Sequence, residues 1–528
     1  MGQAELLILG LLLAVGGLSA LARVLKVPYP ILLVLAGAAV GFLPGLPDVR
    51  LDPDVVLVVF LPPLLYGSAI FANFNDLKAN LRGLTLSTVG LVLATMGAVA
   101  VVAHQLVAGM SWEAAFVLGA IVSPTDPLAA TTVMRRLDAP RRIVSAIEGE
   151  GLFNDATALV AYKVAVTAVV AGSFSLADAG LEFVLSAAGG VAIGLAAGFV
   201  LGEIRRRTAD TQVNVTLSLL SGYAAFIPAD AIGASGILAV VTAGIYMGIR
   251  APAILPTRPR LQGYFVWEVF DFVVNTILFV LVGLQLRTIV DGLDGYSAAT
   301  LAGYALAVSA VVAATRLVWF FTVPYLIRAL DRRPSQLARR AGPAWRLVLA
   351  WSGMRGAVSL AIALALPLSV DGGGAFPQRD LIIFLTFAVI FSTLVVQGLT
   401  LPLLLRRLGI TDGGESAEEE VRGRIVASKA ALDQIDALKA ESWTREDTLD
   451  RLRRLYEYRK RRFAAQAGKS DDEEGYEDRS LAYQQVLQLI LEAQREALVA
   501  MRNEGRLSNE SMIRILRELD LEEARLEI

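Results

Sequence analysis

Apolar runs of about 20 residues, the length that crosses a bilayer, recur through the first 410 residues of the chain, separated by short polar links. They lie near 4–25, 28–46, 54–72, 84–107, 112–134, 143–171, 178–203, 212–228, 231–249, 264–286, 296–327, 346–369 and 380–405. The pattern predicts an all-α polytopic membrane protein with about 13 transmembrane helices in the lipid bilayer. The eighth and ninth runs are parted only by Pro228-Ala229-Asp230, so the count turns on that link. The first run lacks a basic stretch before it and has one after it, unlike a cleaved signal peptide. Residues 411–528 read differently. They are charged and helical by spacing, as in Ile425 to Leu438 and Val486 to Met501, with an acidic interruption at Asp471-Asp472-Glu473-Glu474. This tail is expected to be a regulatory or assembly module, or a solvated extension.

Charge fixes the orientation. Links after odd-numbered runs carry 22 basic residues, among them Arg135, Arg136, Arg141, Arg142 and Arg205 to Arg207, whereas links after even-numbered runs carry only Arg50, Arg287 and Arg379. By the positive-inside rule the N-terminus is outside and the C-terminal tail cytoplasmic, as an odd number of spans requires. The tail holds 27 acidic and 20 basic residues, so the formal net charge of −2 is the sum of a basic membrane part and an acidic tail. With no cysteine and the single histidine His104, disulfides, thiolate metal sites and Ser-His catalysis are excluded or improbable. Nothing in the tail resembles a nucleotide- or nucleic-acid-binding signature.

Ionisable residues inside apolar runs are costly and mark ion or proton pathways. The fifth run contains Ser123-Pro124-Thr125-Asp126-Pro127, and prolines on both sides of Asp126 argue against continuous helix. A broken helix offers free N–H groups on one half and free carbonyls on the other, and Asp126 suits both capping and cation coordination. The sixth run contains Glu148-Gly149-Glu150-Gly151-Leu152-Phe153-Asn154-Asp155. Asp155 lies deepest and is the leading candidate for the exchanged-ion site. A carboxylate withdrawn from water is costly to leave bare, so a proton and a cation can compete for it. Glu148, nearer the cytoplasmic end, is a candidate to line the ion's way in.

The twelfth run opens Trp351-Ser352-Gly353-Met354-Arg355-Gly356-Ala357, where two glycines around an arginine suggest a second interruption. Breaks in the fifth and twelfth runs are spaced as two six-helix inverted repeats with one linker span would give. Arg355 needs a buried anion, and Glu150 is the expected partner. Arg316, in the eleventh run, is expected to face the carbonyl end of a broken helix. Lys163 is expected to reach the interface, Pro62-Pro63 to kink the third run, and Glu268 and Asp271 to form a polar wall.

Together these motifs resemble the monovalent cation/proton antiporters of family 1, nearest to the bacterial-form sodium/proton exchangers. The likeness rests on Leu61 to Leu65, Ser123 to Pro127, Glu148 to Asp155 and Gly353 to Ala357, in that order, and covers residues 1–410. It implies a multi-pass secondary transporter of the plasma membrane rather than an enzyme. It also implies a homodimer without cofactor, carrying Na+, or K+ or Li+, against H+. Spans 1–3 and 7–10 would form a dimer domain, and spans 4–6 and 11–13 a core domain with two crossed broken helices. By motif position Asp155 would bind cation and proton, with Thr125 and Asp126 at the crossing as further cation ligands. Asn154 would hold the unwound segments, Glu150 would pair with Arg355, and an Asn-Asp pair would give electroneutral exchange by alternating access. Gly151 departs from the family, which usually has a serine there whose hydroxyl helps hold the ion. Tyr66-Gly67-Ser68 departs where some relatives carry a glutamate.

Other readings differ in kind. A potassium/proton exchanger would need the same carboxylates. An intramembrane aspartyl protease would need a Gly-x-Gly-Asp motif, which neither membrane aspartate has, and an ion channel would favour a repeated ring over a buried carboxylate pair.

Overall fold

The computed structural model describes residues 28–43, 55–79, 81–171, 176–293, 295–330, 342–371, 373–466 and 476–524, with a few positions between 16 and 24. The run 4–25, the acidic interruption at 471–474 and most of the basic link at 331–341 fall outside the described residues. Contacts divide the chain into two compact units, Met1–Thr411 and Asp412–Ile528.

Helices are the only regular secondary structure among the described residues of the first unit, apart from one isolated bridge between Ser369 and Ala375. Besides the short helices Phe74–Ala79 and Leu81–Thr85, its helices are α1 (Tyr29–Gly41), α2 (Leu61–Ile70), α3 (Val92–Leu106), α4 (Trp112–Val122), α5 (Pro127–Arg136) and α6 (Arg141–Ala171). They continue as α7 (Leu176–Arg207), α8 (Thr211–Ala231), α9 (Gly236–Ile254), α10 (Thr257–Asp291) and α11 (Ala298–Leu330). The last are α12 (Pro343–Trp351), α13 (Ala357–Leu364), α14 (Arg379–Ser392) and α15 (Gly398–Leu408). Among the described residues, eight helical stretches are long and apolar enough to cross a membrane, and α1 and Leu57–Ile70 are shorter apolar helices. The link between the eighth and ninth runs lies slightly later than expected. Pro228 is inside α8, and the chain turns between Ile232 and Ser235, whose hydroxyl caps α9 by accepting from Leu238 N. Pro62 and Pro63 sit in the first turn of α2, directly after a π-helical turn over Val55–Phe60, where a missing N–H costs little.

Helices that share no hydrophobic drive toward each other in lipid associate through close packing of small residues. Gly37 of α1 and Gly283 of α10 do this reciprocally. A Cβ at Gly37 would lie 3.2 Å from Gly283 Cα, and one at Gly283 would lie 2.9 Å from Gly37 C. Buried apolar side chains form two clusters. One joins α3 to α6 with α11 to α15 and takes in parts of α1 and α10, while the other is built mainly on α2, α8 and α9.

The second unit contains α16 (Glu415–Leu438), α17 (Glu446–Gln466), α18 (Tyr476–Asn503) and α19 (Asn509–Ala524). Arg453 of α17 pairs with Asp436 of α16, and Arg424 stands 5.3 Å over the Phe463 ring. Arg495 of α18 holds Asp520 and Glu523 of α19.

Candidate functional site

Both predicted interruptions are present, and they meet. α4 stops at Val122 and α5 begins at Pro127, while α12 stops at Trp351 and α13 begins at Ala357. Across the gap, Asp126 N donates to Met354 O at 2.8 Å. Each break therefore supplies a backbone group that the other lacks, as irregular backbone at membrane depth demands. The Asp126 carboxylate caps α5 by accepting from Leu128 N at 2.8 Å. The same carboxylate lies against Gly356, the residue before α13, so closely that a Cβ there would overlap it. One acid thus faces the positive ends of two half-helices.

The carbonyl ends are covered by arginines. Arg355 Nε donates to Val122 O, the last residue of α4, at 3.1 Å, its Nη1 donates to Gly353 O, and its backbone N–H donates to Thr393 Oγ1. Arg316 donates through Nε and Nη2 to Leu349 O near the end of α12, at 3.2 and 3.0 Å. Gly353 lets the second break run hard against the Arg316 side chain, which also stands 5.2 Å over the Phe320 ring.

α6 faces this crossing as one uninterrupted helix. Asn154 Nδ2 donates to Thr125 Oγ1 at 2.8 Å, and Thr125 Oγ1 donates to Glu150 Oε1 at 3.1 Å. Glu150 in turn accepts from both terminal nitrogens of Arg316. A continuous chain of hydrogen bonds therefore runs from Asn154 through Thr125 and Glu150 to Arg316 and the end of α12. The residues are buried, and in a low-dielectric interior such a network fixes the relative placement of its members. Asn154 Oδ1 is buried and accepts no hydrogen bond from any described residue. Asp155 is also buried, and its carboxylate makes no hydrogen bond or ion pair with any described residue.

One expected pairing does not form. Glu150 is held by Arg316, and Arg355 is spent on backbone carbonyls instead. Depth and charge made either arginine eligible. The fold decides because Arg355 lies within a break, where bare carbonyls are its nearest acceptors, while Arg316 projects from the continuous helix α11 and presents both terminal nitrogens to the Glu150 carboxylate. Gly151 also faces something unforeseen. A Cβ there would come within 2.5 Å of Pro127 Cδ and 2.7 Å of Cγ, so the glycine seats α6 against the start of α5. Glu148 is partly exposed and ion-paired with Arg135 of α5.

The remaining polar residues have local roles. Lys163 and Glu268 are exposed. His104 Nδ1 is 2.7 Å from Met110 O, and its ring stacks on Trp112. Tyr66 is buried against Trp267, whose Nε1 donates to Ser218 Oγ at 3.0 Å. Arg205, counted among the loop cations, is instead buried and donates through Nε to Asn214 Oδ1 at 3.1 Å. Thr393, which accepts from Arg355 N–H, is a contributor that sequence reasoning missed, since it carries neither a charge nor a motif of its own; Pro127 marked a break in the sequence, but its packing against Gly151 did not show there.

Known proteins agree with this architecture. The sequence model of the family described as "Sodium/hydrogen exchanger, transmembrane" matches residues 10–407. An uncharacterized Na+/H+ exchanger of Mycobacterium bovis is 36% identical over 507 residues, 95% of this chain and 92% of its own length. A sodium, potassium, lithium and rubidium/H+ antiporter of Bacillus pumilus is 32% identical over 388 residues, 72% of this chain and 58% of its own. The solved structure of the sodium proton antiporter MjNhaP1 from Methanocaldococcus jannaschii shares the fold, with a TM-score of 0.58 at 19% identity, covering 77% of this chain and 99% of its own.

Proposed function

Because the chain belongs to the family of transmembrane sodium/hydrogen exchangers, we propose that it is a secondary antiporter exchanging sodium for protons, one for one, across the plasma membrane. The observation that carries this reading is Asp155, a buried carboxylate without a hydrogen-bond or ion-pair partner among the described residues, beside the crossing of two broken helices. A bare buried carboxylate is unfavourable, so it binds a proton or a cation in turn. A hard monovalent cation takes oxygen ligands. Asp155 supplies the charge, and Thr125, Asp126 and the free Asn154 Oδ1 supply further oxygens. Only Asp155 changes its load during the cycle, because Asn154 cannot ionise and Asp126 is engaged as a helix cap. One proton leaving for one sodium arriving is electrically silent.

Transport then follows by alternating access. The core domain, spans 4–6 and 11–13, moves against spans 1–3 and 7–10, which hold the contact of a homodimer. Glu150 and Arg316 tie the broken segments together so that the site travels as one body. The N-terminus lies outside and the tail in the cytoplasm.

A second reading, in which potassium is also carried, is favoured by the Bacillus relative, named for sodium, potassium, lithium and rubidium. The test is exchange in proteoliposomes with sodium, lithium and potassium in turn. Competition at one carboxylate predicts that the apparent KM for the cation rises as pH falls. A KM independent of pH would remove the shared site. No exchange with any of the three cations would remove the antiport reading.

A further inference from the structure

The tail carries an apolar surface that its own fold leaves open. On α18, Tyr483, Val486 and Ile490 are 64%, 56% and 47% exposed, and Ala493, Ala497 and Ala500 are exposed with them. Their spacing alternates three and four residues, the repeat of a helix-to-helix seam. The opposite face of the same helix is already occupied. Leu491 is buried there, as are Met512 and Leu519 of α19, and Arg495 on that side binds Asp520 and Glu523. α18 is therefore apolar on two faces and covered on one.

We propose that this stripe is a self-association surface, on which α18 of a second copy of the chain packs antiparallel about a twofold axis passing between Leu491 and Glu492. Side-chain volume sets the register. With the axis there, Tyr483 of one copy lies opposite Ala500 of the other, Val486 opposite Ala497, and Ile490 opposite Ala493. Every layer joins a large residue to a small one, and each occurs twice, as an isologous interface requires. A parallel pairing would set Tyr483 against Tyr483 and three alanines against three alanines, leaving unfilled space.

An anionic leaflet fits the stripe less well, because Glu492 and Glu496 border it and would be repelled.

The chain has no cysteine, so crosslinks can be placed at will. The full-length double variant Val486→Cys/Ala497→Cys, reconstituted in lipid and oxidised, is expected to run as a covalent dimer on a non-reducing gel. Each single variant is expected to stay uncrosslinked, because identical residues would sit about 16 Å apart along antiparallel helices, beyond disulfide reach. The same separation prevents the two cysteines of one chain from joining. Crosslinking of either single variant would overturn the antiparallel register. No covalent dimer from a folded double variant, folding being read by its melting curve, would overturn the surface itself. Exchange measured on the same vesicles reads transport separately, so failure of the antiport reading leaves this result intact.

Discussion

Arg316 grips Glu150 through both terminal nitrogens while its Nε and Nη2 cover the carbonyl of Leu349. One side chain thus fastens α6 to the end of the first half of the second broken helix. Arg316 thus joins α6 to the second break while lying in neither break itself.

Neutralising either partner of this pair leaves the other charge buried and alone, at a cost of about 3–5 kcal/mol. Arg316→Met and Glu150→Gln should each lower the melting temperature in detergent, and the double variant should lose less than the two losses added. In a parallel cycle, Glu150→Gln with Arg355→Met should be nearly additive. Strong coupling in the second cycle and none in the first would reassign the pair.

Asp155→Asn should insert, fold and melt at or slightly above the wild-type temperature, since it removes a buried charge that no side chain of the described residues compensates. Exchange of every cation should disappear. An inactive variant that also fails to fold would point to a structural role, and an active one would end the case for Asp155 as the ion site.

A side chain at position 151 has nowhere to go, because the Pro127 ring fills the space. Gly151→Ala and Gly151→Ser should therefore both destabilise, by about 1–3 kcal/mol as overpacked cores do. The serine hydroxyl should bring no gain in sodium affinity. Unchanged melting together with a lower KM for sodium in Gly151→Ser alone would mean that this position opens toward the ion.

Because Asp155 is the single carboxylate that changes its load, exchange should reach the same equilibrium whether or not a membrane potential is imposed. Valinomycin-clamped proteoliposomes give the measurement. A shift of the end point with voltage would require a second charge to move, with Asp126 the first suspect.

The sequence by itself determined what the bilayer forces on it. A continuous run of apolar residues long enough to cross the membrane reports helix directly, because in lipid a segment that is apolar on every side satisfies its backbone hydrogen bonds within itself, whereas barrel strands would alternate apolar and polar residues. Pro124, Pro127 and the glycines around Arg355 marked the two interruptions for the same local reason. Asp126, Glu150 and Asp155 stood out because charge is rare in such runs. The tertiary structure alone decided which of these groups touch. Whether Arg316 or Arg355 meets Glu150 depends on how α11 and the second break sit against α6, and neither periodicity nor composition encodes a distance between residues 166 positions apart. The same holds for Gly151, whose meaning lies in the Pro127 ring across from it. It holds too for Asp126, whose backbone finds its acceptor on Met354 only because the two breaks cross. Local sequence fixes where a backbone must be interrupted; packing fixes what each freed group finds.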